Sequence, residues 1–319
     1  MIADMTASMG GYSMIIDKIG HIKNNFYYLG FIECPIFLLD GPEPVIFDAG
    51  VTCAGNIYVE AIRSILGQRQ PAWLCITHVH WDHCGAASYL QKAFPKMKIA
   101  ATSMAANILQ RPNALSLINR LNQGILEQML SNPGLDPSRL NMEPFAPFKI
   151  DRELADGLTI EIGSTTLQVL ATPGHTQDHH SFYLPHEKIL IAGEAAGVFY
   201  SHNVVSPEFT SDYDAYLTSL RRLASLPVEI LAQGHYYILA GEEEIRTFFA
   251  NSIKETISFK DRVMELLDEE TGNLEKVIHM MKAERYDAVP DLKQPEVTYL
   301  INLRAKVAHL AGKRQLQTG

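Results

Sequence analysis

A chain of 319 residues with 47% hydrophobic content is long enough to bury one large core and to carry an appendage besides. A formal net charge of -9 and a pI near 5.7 argue against a broad phosphate-binding surface, and no run of Lys or Arg offers a patch for nucleic acid or a membrane. No stretch reaches the ~18 consecutive apolar residues of a spanning helix, and Met1–Gly11 lacks the basic and apolar regions of a signal peptide, so a loose extension and a cytoplasmic location are expected.

From Tyr12 to Ile76 the chain reads as short strands with turns at Gly20, Gly30 and Gly41-Pro42, then a helix near Asn56–Leu66 and a strand running up to Thr77. This is α/β texture. The next stretch, Thr77-His78-Val79-His80-Trp81-Asp82-His83-Cys84-Gly85, packs three imidazoles and a carboxylate into six positions. In an extended segment side chains two apart point the same way, so His78 and His80 can share one metal while the following turn carries Asp82 and His83 toward a second. Nitrogen and oxygen donors in this mixture suit zinc, and also iron or manganese. A lone histidine is usually structural; four donors at HxHxDH spacing are a much more specific signal.

Between Ser103 and Phe145 helical periodicity takes over, with Leu115, Ile118, Leu121, Ile125 and Met129 three or four apart, and the segment (about 103–145) reads as a helical insertion. Three later apolar runs each end in a donor. Thr166–Ala171 leads into Thr172-Pro173-Gly174-His175-Thr176, so His175 stands on a sharp turn at a strand end. Ile189–Gly193 ends in Glu194, and Ile230–Gly234 ends in His235. Open α/β sheets present their functional groups just past strand ends.

After His235 the pattern is helical, with one apolar stripe at Ile245, Phe248, Phe249, Ile253 and Ile257 and another at Leu300, Leu303, Val307 and Leu310 that Pro295 introduces. Residues 1–240 are therefore expected to form the metal-binding catalytic domain and 241–319 a C-terminal helical cap, which could complete a pocket or serve a homodimer interface.

The four cysteines, Cys34, Cys53, Cys75 and Cys84, show no CxxC spacing and read as reduced thiols. Cys84 falls at an expected helix start, where a thiolate would be favoured, although a small buried residue beneath the metal loop is the simpler reading. His179 and His180 should face opposite ways, and His179, nearer the ligand turn, is the choice for the pocket. His21, His186, His202, His279 and His309 are expected to be solvated or structural.

In its ordered set of HxHxDH, TPGHT, a carboxylate after a buried strand, and GH, the chain resembles the metallo-β-lactamase-fold hydrolase superfamily. The resemblance implies a four-layer αββα sandwich, a first metal held by His78, His80 and His175, and a second held by Asp82, His83 and His235. The family's bridging Asp falls at Glu194, one methylene longer, which must swing aside or push the metals beyond the roughly 3.5 to 4 Å of two-metal sites. The Phe47-Asp48-Ala49-Gly50 step matches an element that supports the metal loop, and gives Asp48 that role. Thr176-Gln177-Asp178-His179-His180, Cys84 and the Ile118–Asn122 region are similar to glyoxalase II-type and quinolone-signal-response thioesterases.

The site chemistry expected is a hydroxide activated by two divalent cations attacking a small acyl substrate, a thioester or activated ester. Asp82 would ligate and orient the nucleophile, with Thr77, Asp178 and His179 supporting the ligands or the substrate. Lactones, β-lactams or phosphodiesters could use the same centre. A signalling or interaction protein with a vestigial metal site, and a mononuclear iron dioxygenase on the same fold, are the competing classes; a flavodiiron-type role is disfavoured because His80 is retained.

Overall fold

In the computed structural model the described residues are 14–318, apart from 164, 202–203 and 290–293. The expected loose extension Met1–Gly11 and His202 lie outside them.

The first half of the chain supplies β1 (Met14–Ile16), β2 (Gly20–Lys23), β3 (Phe26–Phe31), β4 (Cys34–Leu39), β5 (Val45–Phe47), α1 (Gly55–Leu66), β6 (Trp73–Cys75), α2 (Ala87–Ala93) and β7 (Lys98–Ala101). The helical insertion follows as α3 (Ser103–Ile108) and α4 (Pro112–Leu130), and then β8 (Arg152–Glu153). The second half contributes β9 (Thr159–Ile162), β10 (Thr165–Ala171), β11 (His180–Leu184), β12 (Ile189–Gly193), β13 (Val198–Ser201), β14 (Val204–Ser206), α5 (Tyr213–Ala224), β15 (Ile230–Gln233) and β16 (Ile238–Ala240). Helices α6 (Glu242–Glu269), α7 (Leu274–Lys282) and α8 (Glu296–Thr318) complete it.

Strands β2 to β8 form one sheet in sequence order, and β1-β16-β15-β12-β11-β10-β9 form the other. Period-two alternation gives each strand two apolar faces. On β4, Phe37 and Leu39 turn toward the other sheet and join Phe182, Leu184, Ile189 and Ile191 in an inter-sheet core, where the Phe47 and Phe182 rings lie 5.3 Å apart. Ile36 and Leu38 turn the opposite way, onto Tyr58 and Ile62 of α1. On the second sheet Leu190, Ala192, Leu231 and Leu239 face outward and share one cluster with α5 to α8. The result is helix, sheet, sheet, helix: the αββα sandwich that the resemblance implies.

Within the segment expected as a cap, 241–319, α6 packs directly on β15 and β16 of the second sheet, and α7 and α8 pack on α6. In α6 the buried face begins with Ile245, Phe248 and Phe249, but continues through Ser252, Thr256 and Phe259, leaving Ile253 and Ile257 half-buried. The reason is a close approach. Ser252 Oγ donates to Ala196 O at 2.6 Å, and a larger side chain there would push the helix off the segment before β13. Helix α8 buries Leu303, Val307 and Leu310 of its expected stripe, and leaves Leu300 half-buried.

Parallel pairing places the site. Strands β5 and β6 run parallel, as do β12 and β15 in the other sheet. Asp48, Thr77, Glu194 and His235 follow these four strands at or just past their carboxyl ends. Among the described residues no helix is long and apolar enough to cross a membrane.

Candidate metal centre

Backbone hydrogen bonds zip the metal loop to the turn after β5. Ala49 N–H donates to His83 O at 2.7 Å and Gly85 N–H to Gly50 O at 2.8 Å. Only glycine fits at 85, since a Cβ there would stand 2.5 Å from Trp81 O and 2.7 Å from Gly50 O. Asn122 of α4 ties the insertion to the same loop: its Oδ1 accepts from Thr52 N at 2.9 Å and its Nδ2 donates to Trp81 O at 3.2 Å.

The residues expected as ligands converge on Glu194. Its Oε2 lies 3.1 Å from His78 Nε2, 3.0 Å from His175 Nε2 and 3.3 Å from His83 Nε2, while Oε1 lies 3.2 Å from His235 Nε2. His80 Nδ1 is 3.0 Å from His175 Nε2. Asp82 stands at the edge, with Oδ2 3.8 Å from His235 Nε2. The longer carboxylate does not swing aside: one oxygen faces the His78, His83 and His175 side and the other faces His235. Gly234 makes room for it, because a Cβ there would come within 3.3 Å of Glu194 Cγ and 3.1 Å of His83 Cε1.

Four of the five imidazoles, all but His80, are held from behind. Thr77 Oγ1 sits 3.0 Å from His78 Nδ1, Asp48 Oδ2 2.8 Å from His83 Nδ1, Glu208 O 2.5 Å from His175 Nδ1 and Glu33 O 2.5 Å from His235 Nδ1. These acceptors occupy the outer ring nitrogens and leave Nε2 free to ligate, as outer partners of metal-bound histidines do. Asp48 also accepts from the backbone N–H of Thr77 at 2.7 Å and from its hydroxyl at 2.9 Å.

The donor set fits a metal. His78 Nε2, His83 Nε2 and Glu194 Oε2 are buried without a properly aligned hydrogen-bond partner, an arrangement that is costly unless a cation is shared among them. Three groups have ligand atoms within 4.8 Å of one another: His78, His80, His175 and Glu194; His83, Glu194 and His235; and Cys34, Asp82 and His235.

Electrostatics follow from crowding. Burial pushes His78 well down, helped by His83 and His80, and brings His80 to about 4. Burial also opposes protons on His83, His175 and His235. The Asp48 and Glu194 carboxylates outweigh it at His83, Glu194 does so at His175, and contacts with Cys34 and Glu194 do so at His235, so all three are raised. Burial pushes Glu194 up, yet His175 and His83 hold it well below the usual carboxylate range.

Two sequence expectations are corrected. His179 does not line the pocket: it is fully buried beneath the cluster, with Nδ1 2.8 Å from Thr172 Oγ1 and Nε2 accepting from Glu194 N at 3.3 Å. His180 lies at the start of β11, Nδ1 3.1 Å from Asp178 O. Cys84 does not open a helix, since α2 begins three residues later at Ala87; it is the small buried residue of the simpler reading, and burial pushes its thiol well up. Asp178 does reach the site: Oδ2 accepts from Val79 N at 3.0 Å, and Oδ1 is buried and unpartnered at the cavity wall.

The residue missed by sequence reasoning is Cys34, at the start of β4, read only as a reduced thiol. No local spacing links it to Asp82 or His235, and only the sheet brings them together.

Above the cluster opens a cavity of about 530 Å3. His80, Asp82, His175, Glu194 and His235 line it, together with Val79, Trp81, Leu117, Ile118, Leu121 and Ile125, and with Thr298 and Ile301 of α8. No Lys or Arg among the described residues lines it.

A sandwich with histidines and carboxylates gathered at the ends of parallel strands in both sheets is the framework of a metal-dependent hydrolase class. The chain belongs to the metallo-beta-lactamase superfamily, whose family model matches residues 30–235, more than half of its length. It is 22% identical to the Beta-lactamase-like protein 2 homolog of Caenorhabditis elegans over 80% of this chain, and spans 64% of that relative's length, just under two thirds. It is 25% identical to the human Acyl-coenzyme A thioesterase MBLAC2 over 72% of this chain and 82% of that protein. The crystal structure of the metallo-beta-lactamase family protein TTHA1429 from Thermus thermophilus shares the fold with a TM-score of 0.63 at 20% identity, covering 92% of this chain and 94% of that one.

Proposed function

We propose that the protein is a hydrolase of small, apolar acyl thioesters or similarly activated esters, working with two divalent cations, zinc foremost. The observation that carries this reading is the placement of the His and Glu cluster in a cavity that α4 lines with the apolar side chains of Leu117, Ile118, Leu121 and Ile125. His78, His80 and His175 would hold one cation; Asp82, His83 and His235 the other; and Glu194, which meets His78 and His175 of the first group and His83 and His235 of the second, would lie between them. When bound, the cations supply Lewis-acid activation of water and of the acyl carbonyl.

The chain's own residues do the rest. Asp82 faces the cavity and can accept a proton from the attacking water and orient it toward the acyl carbon. The bond to the carrier sulfur breaks as the new carbon–oxygen bond forms, giving a carboxylic acid and a thiol. Asp48 and Thr77 hold His83 and His78 in place from behind. The α4 and α8 walls take up the acyl chain and keep bulk water from it. With no lysine or arginine among the described residues of the lining and with Glu33 and Asp178 present, the cavity disfavours an acyl group that is itself anionic. The thioesterase named among the relatives supports the same substrate class.

The test is a panel of metal-reconstituted assays on acyl-CoA and glutathione thioesters of rising chain length, lactones and a phosphodiester. Thioester cleavage that improves with apolar chain length is expected. Activity confined to the phosphodiester would overturn the reading.

A further inference from the structure

We propose that Cys34 is a thiolate ligand of the second cation site, a further donor beside Asp82, His83 and His235. This inference rests on the metal-dependent reading above and adds a sulfur donor to it.

Cys34 is placed by the tip of the β3–β4 hairpin, where it pairs with Phe31 across the two-residue turn Ile32-Glu33. That tip is fastened to the segment carrying His235. Tyr236 N–H donates to Ile32 O at 2.5 Å, Tyr28 Oη donates to Tyr236 O at 2.9 Å, and Glu33 O stands 2.5 Å from His235 Nδ1. On the opposite side Tyr58 Oη of α1 donates to Cys34 O at 2.7 Å. The backbone bearing the thiol is therefore pinned to both the ligand loop and the helix layer.

Glu33 O occupies Nδ1 of His235, so only Nε2 is left to ligate, and it points inward to within 3.8 Å of Asp82 Oδ2. Cys34 offers Sγ to the same point: one ligand atom each from Cys34, Asp82 and His235 lies within 4.8 Å of the others. Tetrahedral zinc, with bonds of about 2.0 to 2.3 Å, separates its donors by roughly 3.3 to 3.8 Å, so small side-chain rotations close the set. A second observation points to a ligand here independently of the cysteine. His83 Nε2 is buried without an aligned partner and falls within 4.8 Å of ligand atoms of Glu194 and His235, the histidine that Cys34 also approaches.

Coordination would release the thiol proton to solvent, because a metal-bound thiol is deprotonated outright. A sulfur donor shifts the preference of this site toward zinc or cadmium and away from manganese, while the histidine-rich first site keeps its nitrogen chemistry.

The experiment is cobalt(II) substitution of the full chain, read by absorption rather than by turnover. The wild-type protein should show a sulfur-to-cobalt charge-transfer band in the near ultraviolet. Cys34→Ser should lose that band and keep the visible bands of the histidine site, and Cys84→Ala should retain both. Visible cobalt bands without a sulfur band in the wild type, or a sulfur band that persists in Cys34→Ser, would overturn the proposal. Cadmium-113 NMR of the wild type needs no variant to fold: a resonance well downfield, in the range of sulfur-containing sites, supports Cys34, and resonances confined to the nitrogen and oxygen range reject it. A sulfur band in a protein inactive on every thioester would support Cys34 and sink only the substrate reading, whereas failure to bind either metal would overturn both.

Discussion

Asp48 Oδ2 lies 2.8 Å from His83 Nδ1, and the same carboxylate receives the backbone N–H and the hydroxyl of Thr77, whose Oγ1 in turn meets His78 Nδ1. One buried side chain thus orients an imidazole from each expected metal group. It does so from a backbone with φ +59, which Asp and Asn tolerate better than most residues. Asp48→Asn keeps that tolerance while removing the charge. Metal affinity measured by chelator competition should fall by about 10- to 100-fold; unchanged affinity would mean that Asp48 only braces the loop.

Glu194 faces both groups and depends on the absence of a side chain at Gly234. In Glu194→Ala the metal content per chain, read by mass spectrometry after reconstitution, should drop by about one equivalent in a two-metal site. Gly234→Ala should weaken retention in the same direction by pressing on Glu194 and His83. Full loading of both variants would show that the carboxylate does not ligate.

Lys306 of α8 and Glu208 form a pair with Nζ 3.0 Å from Oε2, both nearly inaccessible at 3% and 1% exposure. Since Glu208 O also supports His175, the pair joins the last helix to a ligand. Lys306→Met leaves a buried carboxylate unpaired and should lower unfolding stability by about 3–5 kcal/mol. Adding Glu208→Gln should restore most of that loss in urea titrations. A double variant as unstable as the single one would show that the charge pair is not the cause.

His83, His175 and His235 have raised proton affinity in the folded protein, despite burial, because carboxylates crowd them. A group with a raised pKa stays protonated to higher pH, and a cation must expel that proton to bind. Metal affinity should therefore climb as pH rises and fall on acidification, by up to about tenfold per pH unit for each displaced proton. Chelator competition between pH 6 and 8 measures this, with matching proton release in calorimetry. Affinity that does not vary with pH would contradict the electrostatic picture.

A chain-length series tests the apolar walls. Ile301 of α8 is 37% exposed and lines the cavity together with Leu121 of α4. Ile301→Glu should raise KM for long-chain thioesters far more than for short ones, since each buried methylene contributes about 0.8 kcal/mol. A uniform change across chain lengths would remove α8 from the acyl-binding wall.

The sequence by itself determined the parts of this protein that rest on local periodicity and local chemistry. Apolar runs of strand length ending in Thr77, Glu194 and His235, the sharp Pro173-Gly174 turn before His175, and the HxHxDH spacing are set by residues adjacent in the chain, and so is the stripe of Leu303, Val307 and Leu310 on α8. Tertiary structure alone decided the rest. Alternation says that His179 and His180 point opposite ways, but the close approach of Gly193 and Thr172 to His179 is what puts it beneath the ligand cluster rather than in the cavity. A helical period locates α6, yet the close approach of Ala196 turns its buried face onto Ser252 and Thr256. Cys34 beside Asp82, Glu33 behind His235 and Lys306 on Glu208 join segments far apart in the chain. Such contacts depend on how the two sheets stack and which helices cover them, and no strand or helix period encodes that relation.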